Sequence, residues 1–211
     1  MKSFKKYLII LILLILYILI YSISYANSTI SNISNNLFRL HVIANSDSDD
    51  DQNLKYAVRD NLINYMNNIC INVSSKQDAL NIANEHLYDF YKIAENTIIK
   101  HGYYYNVKIS IGNYSFPTKK YGDISLPAGY YDALKVEIGE AKGKNWWCVM
   151  FPSLCFVDVS NGVVPEESKK DLQNSLSEED FNLISSSNSQ YQFKFKLIEL
   201  LENAKILTAK K

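Results

Sequence analysis

The chain has 211 residues, 22 basic against 22 acidic side chains, 16 tyrosines, three cysteines and three histidines. That length holds one domain, or one domain with tails, and the balanced charge carries no signature of a nucleic-acid binder. With no CxxC or HxxxH spacing among so few cysteines and histidines, the sequence offers no zinc site, and no cofactor motif stands in it.

Met1 to Ala26 reads as a targeting segment. Lys2, Lys5 and Lys6 form a basic start, Tyr7 to Ile23 is almost wholly apolar, and Ser24-Tyr25-Ala26 has the small-x-small pattern of a signal peptidase site. The apolar run also approaches the ~20 residues that cross a bilayer, so two readings stand: cleavage after Ala26, or a retained anchor. Under either, the lysines keep the N-terminus inside and the remainder lies outside. Without those lysines the exported part is slightly acidic, nineteen basic against twenty-two acidic residues. Residues 27–36 (NSTISNISNN) are small and polar and read as a flexible leader.

Leu37 to Ala44 alternates as a first strand. Phe38, Leu40 and Val42 fall on one face, and Arg39 and His41 on the other with Leu37 and Ile43. Apolar residues on both faces place this strand centrally. Asn45 to Ser48 forms a turn, and Ser48 with Asp51 caps a helix running to about Asn68, its stripe Leu54, Val58, Leu62, Tyr65 and Ile69. Arg59 and Asp60 lie off that stripe and read as solvated or paired. The spacing of Asp47, Asp49 and Asp51 suggests a calcium loop, but Gln52 and Val58 stand where Gly and Glu are required. A second helix is expected from Ser75 through Ala94 to Lys100, with His86 on its surface and His101-Gly102 as its stop.

Tyr103 to Ile111 reads as a strand, and Phe116 to Lys119 as an edge segment because of Pro117. Tyr130 to Ile138 alternates, with Leu134, Val136 and Ile138 inward. The loop Gly139 to Asn145 then suggests a hairpin, with Trp146 to Phe151 returning as the partner strand. Asn145 to Phe156 holds both tryptophans and two cysteines, Cys148 and Cys155, symmetric about Phe151-Pro152. A turn there predicts a cis Phe151–Pro152 bond and a Cys148–Cys155 disulfide. The segment reads as core of the domain or as a partner-binding surface, and both hold if one of Trp146 and Trp147 points inward and the other outward, since strand side chains alternate. Residues 159–189 read as linker with at most a short helix. Residues 190–211 carry a final amphipathic helix.

The expected architecture is α+β. One mostly antiparallel sheet carries two helices on one face, between an N-terminal signal or transmembrane helix and the C-terminal helix. Residues 1–26, 27–36, 37–158, 159–189 and 190–211 are its signal segment, leader, domain, linker and tail. The residues contain no nucleophile elbow, phosphate loop or HExxH, and from them alone an exported α+β binding domain is the reading.

Phe38 to Ser48 (FRLHVIANSDS), Val58-Arg59-Asp60, Phe116 to Lys119 with Tyr121-Gly122, Pro127-Ala128-Gly129, and Asn145 to Phe156 with Asp158 resemble the stage II sporulation protein R family. The resemblance covers about Leu37 to Asp158. It implies a non-enzymatic signalling protein of endospore formation, exported into the space between forespore and mother cell. There it activates a membrane-embedded aspartic protease that processes the sigma-E precursor. Asn45, Ser46, Asp47, Trp146 and Trp147 are the expected partner contacts, with no cofactor and no nucleic acid, and with membrane contact through residues 1–26 if uncleaved. The competing readings are an exported hydrolase using Cys148 or His41, and a membrane-tethered structural or interaction protein.

Overall fold

The computed structural model of the chain describes residues 2–71, 73–153 and 164–185. Its centre is strand β1 (Phe38–Ile43), which has β5 (Gly129–Ile138) on one edge and β6 (Asn145–Phe151) on the other, while β2 (Val107–Phe116) lies outside β5. The pair β1–β5 is parallel, and β1–β6 and β2–β5 are antiparallel. The sheet is therefore mixed but mostly antiparallel, within the expected α+β class.

The alternation of β1 sorts the two faces of the sheet. Leu40 and Val42 share a face with Leu134, Val136, Cys148 and Trp146 across the ladders. Helices α2 (Asp49–Ile69) and α3 (Lys76–Glu85) cover that face at β1, and α4 (Leu87–Lys100) covers it at β2. Leu54, Val58, Leu62 and Phe90 are fully or almost fully buried beneath them. Each fully buried side chain of this size contributes roughly 1.5–3 kcal/mol over its exposed state.

The opposite face carries Arg39, His41, Phe116, Tyr131 and Trp147. A small hairpin of β3 (Lys119–Tyr121) and β4 (Ile124–Leu126) lies over part of it. The end of α1 (Lys2–Asn35) packs on β5, and α6 (Glu178–Ser185) packs on β4 and on α1.

Several expectations are corrected. Strands β5 and β6 do not form a hairpin, because β1 lies between them. A six-residue strand apolar on both faces needs a partner on each edge. The loop 139–144 therefore passes the end of β1, where the Lys142 and Gly143 amides donate to the Asn45 and Ala44 carbonyls at 3.1 and 2.9 Å. Residues 27–35 are not a loose leader but the last turns of α1, with Thr29 8% and Ile33 0% exposed. The apolar residues that drive this, Ile30 and Ile33, are too sparse among serines and asparagines to register as a helical stripe.

The helix expected from Ser75 to Lys100 breaks at His86 into α3 and α4, giving three helices rather than two on that face. The His86 ring nitrogen bonds both the Tyr65 hydroxyl, at 2.8 Å, and the Asp89 carboxylate, at 2.7 Å, so His86 is half-buried rather than a free surface residue. The break interrupts the helix without changing the apolar spacing, which is why periodicity alone runs straight through it.

Strand β2 begins at Val107 and runs on through Phe116, which is buried rather than part of a separate edge segment. Part of the expected linker is α5 (Glu166–Ser175) and α6, and Val164, Leu172 and Ile184 are each 0% exposed. The expected C-terminal helix at 190–211 lies outside the described residues.

Candidate functional site

The turn from β1 into α2 stands where the parallel strands β1 and β5 end, at the carboxyl ends of the strands, a common position for ligand and partner sites in sheets with parallel pairs. Ser48 caps α2 as its spacing predicts, its hydroxyl accepting from the Asp51 amide at 3.3 Å. Asp51 is 4% exposed and collects the turn around it. The Asn45 side-chain amide donates to Asp51 Oδ2 at 2.9 Å, and the Ser46 hydroxyl donates to the same oxygen. Burial pushes the Asp51 carboxyl up, but hydrogen bonds from Ser46, Asn45, Tyr105 and Ser48 outweigh it and hold the group below its ordinary range.

The same residues brace the loop 139–144. Asn45 Oδ1 accepts from the Glu140 amide at 3.0 Å, and Asp47 Oδ1 accepts from the Lys144 amide at 2.6 Å. Two glycines let the segments meet. Gly139 has φ +58°, and a Cβ there would land on the Asn45 side chain; one at Gly143 would land on the Ser46 carbonyl. Lys55, 1% exposed, reaches under the loop to donate to Gln52 Oε1 at 2.6 Å and to the Lys144 carbonyl at 3.3 Å. The expected contact residues Asn45, Ser46 and Asp47 are thus brought together, and their side chains tie two loops into one rigid end of the sheet.

The tryptophans point to opposite faces, as alternation requires, and each is half-buried. Trp146 meets the ring of Tyr56 edge-on at 5.5 Å, and the Arg59 guanidinium lies 4.2 Å over it. Its indole Nε1 is buried without a partner. Arg59 also pairs with Asp60 at 2.7 Å. Trp147 stacks on His41, with ring centroids 3.6 Å apart and a 17° interplanar angle, and meets Phe116 edge-on at 4.7 Å.

His41 is 7% exposed, and its Nε2 bonds Asn145 Oδ1 at 2.7 Å. Burial pulls its pKa down to about 4, against the smaller upward pull of the Asn145 bond. Register places His41 opposite Trp147 and Leu40 opposite Cys148, so the imidazole and Cys148 lie on opposite faces of the sheet. The hydrolase reading needs them within reach of each other, or His41 beside a carboxylate in an open cleft. The hydrogen bond His41 makes is to an amide oxygen.

Sequence reasoning missed Arg39. It is 0% exposed, sandwiched between the rings of Phe116 at 4.1 Å and Tyr131 at 4.7 Å. It donates to the Tyr121 hydroxyl at 2.8 Å, and Tyr121 donates on to the Trp147 carbonyl at 2.9 Å. This chain fastens the β3–β4 hairpin over the sheet. The signal available was the arginine inside an otherwise apolar strand, since arginine is almost never fully buried without dedicated partners.

Phe151–Pro152 is a cis peptide, as the symmetric cysteines suggested. Cys148 is disulfide-bonded, and Cys70 is free and half-buried. Cys155, its expected partner, lies outside the described residues. Among the described residues no cluster of His, Cys, Asp or Glu has the makings of a metal site.

A mixed-sheet α+β domain, joined directly to a helix long and apolar enough to cross a membrane, is the class that fold and site define. Residues 34–161 match the family described as Stage II sporulation protein R, and the chain belongs to that family of sporulation proteins. It is similar to "Stage II sporulation protein R" of Bacillus subtilis (strain 168), at 38% identity over 137 residues. That alignment covers 65% of this chain and 61% of the relative, so it spans less than two thirds of the relative's length. No solved structure matches the chain.

Proposed function

We propose that the chain is an exported, non-enzymatic signalling protein of endospore formation. It acts in the space between forespore and mother cell, where it binds and activates a membrane-embedded aspartic protease that processes the sigma-E precursor. The observation that carries this reading is the family match over residues 34–161, which contains the whole four-stranded sheet and the braced turn at Asn45 to Asp51. Activation by binding requires higher affinity for the active than for the inactive protease. A rigid, preformed surface serves that purpose, because little ordering entropy is lost on docking.

The proposed contact region is the end of the sheet shaped by Asn45, Ser46 and Asp47, with Trp146 and Trp147 on the adjoining strand. The test is complementation: in spore-forming cells that lack the related protein, expression of this chain restores cleavage of the sigma-E precursor. Full expression and export without any cleavage would remove the reading.

A second reading, a chain that stays tethered to the membrane, is supported by the continuity of α1 into the core. Tyr25 donates to Glu179 at 2.7 Å, and Ile33 is 0% exposed, so the apolar span and the domain are joined by one helix. N-terminal sequencing of the exported chain separates the two: a chain that begins at Asn27 is the cleaved, diffusible form.

A further inference from the structure

Above the braced turn lies a surface cavity of about 480 Å³, lined by Asn45, Tyr104, Tyr105, Asn106, Gly139 and Glu140. Its lining sorts by hydrogen-bonding capacity. Several donors of its floor are engaged: one N–H of the Asn45 side-chain amide on Asp51, the Gly139 amide on the Asn106 carbonyl at 2.8 Å, and the Glu140 amide on Asn45 Oδ1. The Tyr105 hydroxyl is turned to Asp51. What faces outward is electron-rich. Tyr104 is 91% exposed, with its ring offered to solvent, and the exposed Glu140 carboxylate belongs to the same lining. The exposed Asn106 side chain adds a neutral amide at the rim.

The cation now on Glu140 is Lys142, an ion pair whose side chains are 74% and 67% exposed. Exposed pairs of this kind are readily exchanged. An open aromatic ring and an exposed carboxylate in one cavity lining favour a ligand that brings both donors and positive charge. A guanidinium satisfies both requirements, because it stacks on tyrosine and forks onto a carboxylate at once.

We propose that this cavity is the docking point for an arginine side chain on an exposed segment of the partner protein. The arginine stacks on Tyr104, and its fork replaces Lys142 on Glu140. The inference rests on the proposed signalling role and narrows it to one surface. It shifts the contact from Asn45 to Asp47, which hold the floor, to Tyr104 and Glu140, which form the mouth.

The test uses the full chain in detergent micelles, with labelled tyrosines observed by nuclear magnetic resonance. The probes are acetyl-Gly-Arg-Gly-amide and its citrulline counterpart, which keeps the shape and loses the charge. The arginine peptide is expected to shift the Tyr104 resonance saturably and the citrulline peptide to leave it in place. Tyr104→Ala, read on the Tyr105 resonance, and Glu140→Gln are each expected to weaken the arginine peptide roughly tenfold. Both positions are exposed, and unchanged circular dichroism checks the fold. Equal binding of both peptides, arginine binding indifferent to both substitutions, or no saturable shift overturns the proposal.

The cellular arm separates this inference from the function it rests on. With wild-type chain restoring sigma-E precursor cleavage, loss of cleavage in the Tyr104→Ala, Glu140→Lys double variant supports the docking point. Normal cleavage by that variant rejects the docking point and leaves the signalling role standing. Failure of the wild-type chain to restore cleavage rejects the signalling role alone, and the peptide titration then decides whether the cavity takes arginine.

Discussion

Three buried ionisable residues show how single side chains set the behaviour of this fold. His41 is sealed between Trp147 and Asn145, and its pKa is drawn down to about 4 by burial. An unfolded histidine titrates near 6.5, so between those values the unfolded chain holds a proton that the folded chain refuses. The stability from His41 is therefore complete above about pH 6.5 and is lost as the pH falls toward 4, by up to about 3 kcal/mol. Urea denaturation at pH 4 and pH 7 reads this directly: a His41→Gln variant is expected to show a shallower drop than the parent, and an equal drop would refute the assignment.

Lys55 has the same sign in a higher window. Burial, then the Arg59 charge, pulls its pKa to about 8, and its hydrogen bonds go to the neutral oxygens of Gln52 and Lys144. Stability rises as the pH climbs from 8 toward the unfolded lysine value, and at pH 7 the buried ammonium is a net cost. Lys55→Met is expected to raise the unfolding free energy at pH 7 by about 1–2 kcal/mol, as replacement of buried charge by apolar volume commonly does. A lower urea midpoint would contradict it. Arg39 works the other way, because its guanidinium fills the space between two rings and holds Tyr121. Arg39→Ala is expected to cost about 3 kcal/mol through the cavity and the loss of the bond donated to the Tyr121 hydroxyl, read as a fall in the urea midpoint.

At the scale of elements, the joints carry more information than the helices and strands themselves. α1 is two things in one helix: an apolar span whose residues 4–25 are exposed, and a final stretch at Thr29 and Ile33 that belongs to the core. Ile33→Ala is expected to cost about 2–4 kcal/mol, whereas Ile12→Ala, far from the domain, leaves the unfolding free energy of the domain unchanged in the same micelles. Equal effects would mean that the end of α1 does not support the sheet. The joint between β1 and the loop 139–144 depends on close backbone approach at Gly143, where an added methyl meets the Ser46 carbonyl. β1 and β5 were readable because each alternates, and α2 because its cap and stripe agree; β3 and β4 were not, because their three-residue runs read as turns. The break at His86 was not, because the hydrogen bonds that stabilise it come from Tyr65 on another helix and from Asp89 three residues on.

At the scale of the molecule, the folded unit is larger than the segment that identifies the family. The match ends at residue 161, yet Val164, Leu172 and Ile184 are all 0% exposed, and α6 packs on both β4 and α1. A chain cut after residue 161 is expected to unfold at a clearly lower temperature than the full chain, since each of these apolar side chains contributes roughly 1.5–3 kcal/mol by its burial. Calorimetry of the two forms checks it, and coincident transitions would show that α5 and α6 are dispensable to the core. The candidate site is distributed in the same way. Asn45 to Asp47 were legible as a turn and a cap, and Trp146 and Trp147 as a pair on opposite faces. Tyr104 and Glu140 were not, because they lie 35 residues or more from one another and from the turn in the numbering and meet only when β2 and β5 pair.

From its residues alone this chain determined an apolar N-terminal helix, the strand–helix start, the capped turn, the α+β class and the family. All of these rest on patterns confined to short windows, where local spacing decides which face is apolar and which group caps a helix. The tertiary structure decided the rest. It set β1 between β5 and β6, folded the end of α1 and the segment 164–185 into the core, and buried Arg39, His41 and Lys55. It also placed Tyr104 and Glu140 in the lining of one cavity. Those outcomes depend on which segments compete for the edges and faces of one central strand. That competition is settled by burial and backbone pairing across the whole chain, which no local window contains.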